Sequence, residues 1–305
     1  MSARRAFLSL VLGLMVIGAA TMAYAHTHNS RIEQERLISL SVSNSTLSAG
    51  DRERGESVAR ASGCIACHTD TDNGGALLAG GVALDSPFGT FVSPNITSDR
   101  ALGIGSWTMD MLAEALLNGR RPDGGHYWPA FPYPAYAAMN AQDIADLYAW
   151  LQSTNPVDKA PPEHDLLIPD VARTALGIWK ALYVPDDYQP GRFSERGEYL
   201  VEGPAHCAAC HAPRNLAGGV PDRRLSGNQR GPEGARVPSI TADALREWTV
   251  EDLAFYLEIG MTPEGDFSGG PMAEVIEHGT AYLSPADRQA MAEYLKSPAN
   301  GGEHE

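Results

Sequence analysis

The chain alternates short blocks of helically spaced apolar residues with long stretches rich in glycine and proline. Thr108 precedes an apolar block over 109–117 that Gly119 closes, and Thr249, 250–259 and Gly260 repeat the arrangement. A capping hydroxyl before the block and a glycine after it predict one helix in each half. Trp107 and Trp248 stand just ahead of the caps, where they are expected to staple the helix entries. Amphipathic blocks over 141–151 and 285–295 predict a closing helix for each half. Between the halves, residues 152–192 carry Pro156, Pro161, Pro162, Pro169, Pro185 and Pro190, the composition of a stiff linker. One helix is predicted inside it: Asp170 as its cap, and Val171, Ala175, Ile178, Trp179 and Leu182 on one face packed into the seam.

The N-terminus differs from everything that follows. Arg4 and Arg5, a continuous apolar run over 6–20, and Ala23-Tyr24-Ala25 before His26 have the layout of an export signal over residues 1–25. The apolar character runs on to Ala25, and roughly 20 residues span a bilayer, so retention as an inner-membrane anchor is the competing reading. Both readings place the rest of the chain in the periplasm, because the positive flank stays inside.

Composition sharpens this picture. With 31 Gly and 21 Pro among 305 residues, the chain exceeds the usual share of roughly an eighth. Long loops follow, and side-chain burial alone stabilises them poorly, so another group is expected to fill the core. A formal net charge of -15, with no local run of Lys and Arg, excludes a nucleic-acid partner.

All four cysteines fall in two motifs, Cys64-Ile65-Ala66-Cys67-His68 and Cys207-Ala208-Ala209-Cys210-His211. C-x-x-C-H is the haem c attachment signature. Its spacing lets two thiols add to the two vinyl groups of one haem while the adjacent His offers a nitrogen to the iron. Zinc or thioredoxin-like chemistry explains two such motifs, each ending in His, poorly. Two haem c groups are therefore expected, with His68 and His211 as proximal ligands and each macrocycle serving as the core of a small domain.

The halves repeat beyond these motifs. Arg54-Gly55-Glu56 matches Arg196-Gly197-Glu198, Pro94-Asn95-Ile96-Thr97 matches Pro238-Ser239-Ile240-Thr241, and Gly119 onward aligns with Gly260 onward at an offset of 141. The reading is a mainly α chain of two tandem cytochrome c domains: N-terminal tail 26–47, domain 48–154, linker 155–192, domain 193–298 and C-terminal tail 299–305. In the second domain Met272, read as lying in a loop between two helices, is the expected sixth ligand. The register places Phe131 on Met272, and Phe cannot ligate iron. The first haem then has two candidates, His126 in the same loop and Met139 ahead of the last helix, with His126 slightly preferred and an open iron third.

Several stretches resemble a known family. Ser93-Pro94-Asn95-Ile96-Thr97, Tyr127-Trp128-Pro129-Ala130-Phe131-Pro132-Tyr133 and Asp143-Ile144-Ala145-Asp146-Leu147-Tyr148-Ala149-Trp150-Leu151 are similar to the multihaem cytochrome c subunits of bacterial membrane-bound alcohol and gluconate dehydrogenases. Gly269-Gly270-Pro271-Met272-Ala273-Glu274-Val275 resembles dihaem relatives of that family. Those subunits typically carry three haems and Met at the position of Phe131; this chain departs on both counts. The resemblance implies electron transfer from a periplasmic dehydrogenase to an oxidase or quinone-linked complex. A haem enzyme acting on peroxide or thiosulfate through a weakly ligated first haem is the alternative.

Overall fold

The computed structural model describes residues 3–44, 48–160, 162–222 and 224–300. The chain begins with one long helix, α1 (Ala3–Asn44). Its apolar part projects into solvent, with Phe7, Leu10, Leu14 and Ile17 all largely exposed. By length and composition it is able to cross a membrane. From Ala25 onward it behaves differently. Ala25, Asn29, Ile32, Glu33, Arg36 and Leu40 are buried at the spacing of one helix face. The segment expected as a tail is thus helical to Asn44, and docked as far as Leu40. Ionic and hydrogen-bonding partners on the linker and the first domain hold it, not apolar periodicity alone: Arg36 donates to the carbonyls of Tyr188 and Pro185, and Lys180 Nζ lies 2.6 Å from Glu33.

The first domain comprises α2 (Arg52–Ala61), α3 (Cys64–His68), the hairpin β1 (Ala83–Ser86) and β2 (Gly89–Val92), α4 (Met109–Asn118), α5 (Tyr133–Tyr136) and α6 (Ala141–Leu151). The linker adds β3 (Asp165–Leu166) to that hairpin, antiparallel to β2, and then α7 (Leu176–Tyr183). The second domain repeats the helices as α8 (Arg196–Glu202), α9 (Ala208–His211), α10 (Val250–Ile259), α11 (Gly270–His278) and α12 (Pro285–Lys296). Each domain has its own core: Leu78, Leu112, Leu117, Met139, Ile144 and Leu147 in the first, and Leu200, Val201, Leu225, Leu253, Met291 and Leu295 in the second.

The repeated Arg-Gly-Glu has a packing cause. A Cβ on Gly55 would stand 2.1 Å from the carbonyl oxygen of Asp146, and one on Gly197 would stand 2.0 Å from that of Ala290. Glycine lets α2 cross α6, and α8 cross α12, with backbones nearly in contact. The adjacent arginines bind the partner helix, Arg54 Nε to Asp146 Oδ2 at 2.8 Å and Arg196 Nε to Asp287 Oδ1 at 2.7 Å.

The helix caps follow the sequence reading. Thr108 accepts from Met111 N, Thr249 forms a capping box with Asp252, and Gly119 and Gly260 end their helices at φ 56° and 76°. The linker helix departs from it. Asp170 opens a 3₁₀ turn (Asp170–Ala175) and holds Arg173 instead of capping a helix. The change from 3₁₀ to α winding at Leu176 rotates the buried face, so Val171 and Leu182 are exposed while Leu176 and Lys180 are buried. Met272 lies in the first turn of α11, not in a loop. The closing helices are capped by Asn140 and Ser284, an offset of 144, so the ungapped register of 141 fails between residues 127 and 140. The longer α11 takes up the three additional residues. Residues 301–305, the end of the expected C-terminal tail, lie outside the described residues.

Candidate functional site

Each C-x-x-C-H segment forms a single helical turn. Gly63, left-handed at φ 68°, starts α3, which ends at His68; Cys207 starts α9, which ends at His211. Positions i, i+3 and i+4 share one face of such a turn, so two sulfurs and an imidazole point the same way.

The histidines are held alike. His68 Nδ1 lies 2.7 Å from the carbonyl oxygen of Pro94, and His211 Nδ1 lies 2.9 Å from that of Pro238. A carbonyl only accepts, so Nδ1 carries the proton and Nε2 keeps its lone pair for a metal. Backbone bonds brace both loops in parallel. Gly80 N donates to His68 O at 2.8 Å and Ile96 N to Leu78 O at 2.9 Å; Gly227 N donates to His211 O at 2.7 Å and Ile240 N to Leu225 O at 2.8 Å. The two glycines are left-handed, at φ 71° and 91°, and a Cβ on Gly80 would meet Ser93 O at 2.5 Å. The supporting carbonyls of Pro94 and Pro238 were not identified from sequence. The signal for them was the repeated Pro-Asn/Ser-Ile-Thr, visible as a repeat but silent about its hydrogen bonds.

None of the four cysteines is in a disulfide. Burial pushes the Cys64 thiol up to about 12, with neighbouring Cys67 adding to it, and pushes Cys207 up to about 12, with Glu202 and Cys210 adding. Cys67 is raised to about 11 by burial and then by Cys210 of the other motif. Thiols held neutral in this way lack the low values that drive thiol–disulfide exchange. Two sulfurs for bonds to the haem edge and one oriented imidazole nitrogen for its iron, twice over, are the groups that haem c attachment requires.

The candidate sixth ligands fall in different surroundings. Met139 is fully buried, in the core cluster on which Cys64 also packs. His126 is paired with Arg120 in a short antiparallel bridge, and its ring faces the α1–α7 contact: Nε2 lies 3.4 Å from Arg120 and Nδ1 3.5 Å from Lys180. Burial, then Lys180 and Arg120, lowers His126 to about 4. Phe131 packs on the first core with its ring edge to face with Tyr127 and Tyr136, at 5.5 and 5.6 Å. Met272 is half-buried, on the helix that packs against both α10 and α3. Met291 is fully buried in the second core, as a packing residue would be.

The cytochrome c family model matches residues 52–155 and again 194–298. The chain belongs to the cytochrome c family. A diheme cytochrome c-type protein of Cereibacter sphaeroides is 44% identical over 257 residues, covering 81% of this chain and 86% of that protein. The fructose dehydrogenase cytochrome subunit of Gluconobacter japonicus is 40% identical over 256 residues, 80% of this chain and 52% of that subunit. The cytochrome c subunit of a quinone alcohol dehydrogenase from Gluconobacter oxydans is 39% identical over 265 residues, 80% of this chain and 54% of that subunit. The chain thus spans most of the first relative and about half the length of these dehydrogenase subunits. Family and relatives support haem c as the cofactor of this cytochrome c and electron transfer as its role, and two haems fit its two domains.

Proposed function

We propose that this cytochrome c carries one haem on Cys64, Cys67 and His68 and a second on Cys207, Cys210 and His211. It accepts electrons singly from a periplasmic dehydrogenase and delivers them to an oxidase or quinone-linked complex. The observation that carries this reading is the duplicated support of the two histidines by Pro94 and Pro238. One-electron exchange between ferric and ferrous iron is the chemistry that bound haem supplies. The chain's own residues do the rest. The proline carbonyls hold the proton on Nδ1 and leave Nε2 free for a metal, the buried cores exclude water, and an uncharged methionine thioether offered to the iron would favour the reduced state. Met272 would supply that sulfur in the second domain. In the first, Met139 is placed ahead of His126, because its sulfur shares the core with Cys64 whereas the His126 nitrogens face Arg120 and Lys180.

Dehydrogenase subunits among the relatives support a dehydrogenase as donor, and α1 supports attachment to the inner membrane from the periplasmic side. Anaerobic redox titration of the purified holoprotein tests the reading. Uptake of two electrons per chain in one-electron steps supports it; uptake of one or none, or rapid turnover with peroxide or thiosulfate, overturns it.

A further inference from the structure

Outside glycine, two described residues have positive φ, and one is His206 at 42°. It stands directly before Cys207, its N–H donates to Gly203 O, and its carbonyl accepts from Ala209 N, so its backbone is tied into the start of the second motif. A left-handed histidine costs backbone energy and persists only where its surroundings impose it. The side chain shows what is obtained. Its ring lies nearly parallel to Tyr136 of the first domain, 5.6 Å between centroids and 18° between planes. Tyr136 is buried, and its hydroxyl donates to the carbonyl of Ser62. The far edge of the imidazole faces Gly63, where an added Cβ would stand 3.5 Å from Cε1 and Nε2. Ser62 and Gly63 lead directly into Cys64. An unbroken series of contacts therefore joins the residue before the second motif to the residues before the first.

We propose that His206, stacked on Tyr136, is a positioning residue that fixes the two haem-attachment segments against each other and thereby sets the coupling between the haems. This rests on the dihaem reading above. Electron exchange between two centres falls steeply with separation and depends on mutual orientation, so a planar clasp at the roots of both motifs acts where geometry matters most. It is not what keeps the domains together. Arg60 lies 3.7 Å over the Tyr282 ring, Tyr199 Oη donates to Asp143 at 2.7 Å, and Ala61 packs in the second core. Loss of the ring should therefore loosen the motifs locally without parting the halves.

The test is the exciton couplet in the Soret circular dichroism of the reduced holoprotein, which reports distance and angle between two haems, measured with haem content. His206→Asn keeps a residue tolerant of left-handed backbone and removes the stacking ring; His206→Phe keeps a flat ring. The expected result is a couplet in the wild type, lost in H206N and retained in H206F, with two haems in all three. Should H206N fail to mature, H206G, which relieves the backbone, is expected to give the same loss. An unchanged couplet in H206N or H206G, loss in both H206N and H206F, or a two-haem wild type without a couplet overturns the inference. Fewer than two haems in the wild type overturns the dihaem reading beneath it instead.

Discussion

His68 and His211 are oriented by backbone carbonyls, from Pro94 and Pro238, and this fixes their tautomer before any metal is met. The opposite ligands proposed are methionines in both domains, Met272 and Met139, with His126 the competitor in the first. Replacing Met272 by Ala is expected to abolish the Met-to-ferric-iron charge-transfer band of the second haem. Its potential should fall by on the order of 0.1 V, a modest part of the roughly 0.8 V that axial ligation spans. Met139→Ala should turn the first haem high-spin, while His126→Ala should leave both haem spectra unchanged; the reverse pattern returns His126 to the iron. His126 has a different consequence. Burial, Lys180 and Arg120 lower it from 6.5 to about 4, so as pH falls the unfolded chain takes up its proton first. Its contribution to stability is complete above pH 6.5 and is lost as pH falls through about 4. Urea midpoints measured across that window should decline less in His126→Asn than in the wild type, and parallel declines would contradict this. The spacing of the four cysteines with His68 and His211 was legible because it is local to the chain. The proline carbonyls were not, because a backbone acceptor has no residue type.

Among the elements, helices with paired start and stop signals were legible, as Thr108 with Gly119 and Thr249 with Gly260 illustrate. Elements set by tertiary contact were not. The β1–β2 hairpin gains its third strand from the distant linker, and the face of α7 is chosen by α1 through Lys180 and Glu33. Helix crossings give the sharpest test at this scale. Gly55→Ala forces a methyl group against the Asp146 carbonyl of α6, an overpacking expected to destabilise the first domain by about 1–3 kcal/mol. Denaturant unfolding measures it, and a neutral substitution would show that α2 and α6 do not approach as closely as described. Helix α1 poses the second question. Its apolar part is exposed while residues from Ala25 on are docked on the linker and the first domain. We expect retention as an anchor, with Met1 or Ser2 found by N-terminal sequencing and detergent needed for extraction. A terminus at His26 would instead show cleavage, leaving the docked stretch as the mature N-terminus.

At the scale of the molecule, two similar domains meet with their attachment motifs near enough for Cys210 to influence Cys67. The repeat was visible in the sequence, yet the contacts across the seam were not, since His206 and Tyr136 belong to no shared motif. The net charge of -15 bears on partners. Association with a basic redox partner should weaken as salt rises from 0.01 to 0.15 M, because the Debye length shrinks from about 30 to about 8 Å. Binding measured across that range and found insensitive to salt would argue for an apolar interface instead. The central claim is that this member of the cytochrome c family holds two covalent haems on Cys64, Cys67, Cys207 and Cys210. Intact-mass spectrometry of the protein, exported from a host competent for haem attachment, tests it most directly. The expected mass is that of the polypeptide plus two haems, and a mass with one haem or none would contradict it.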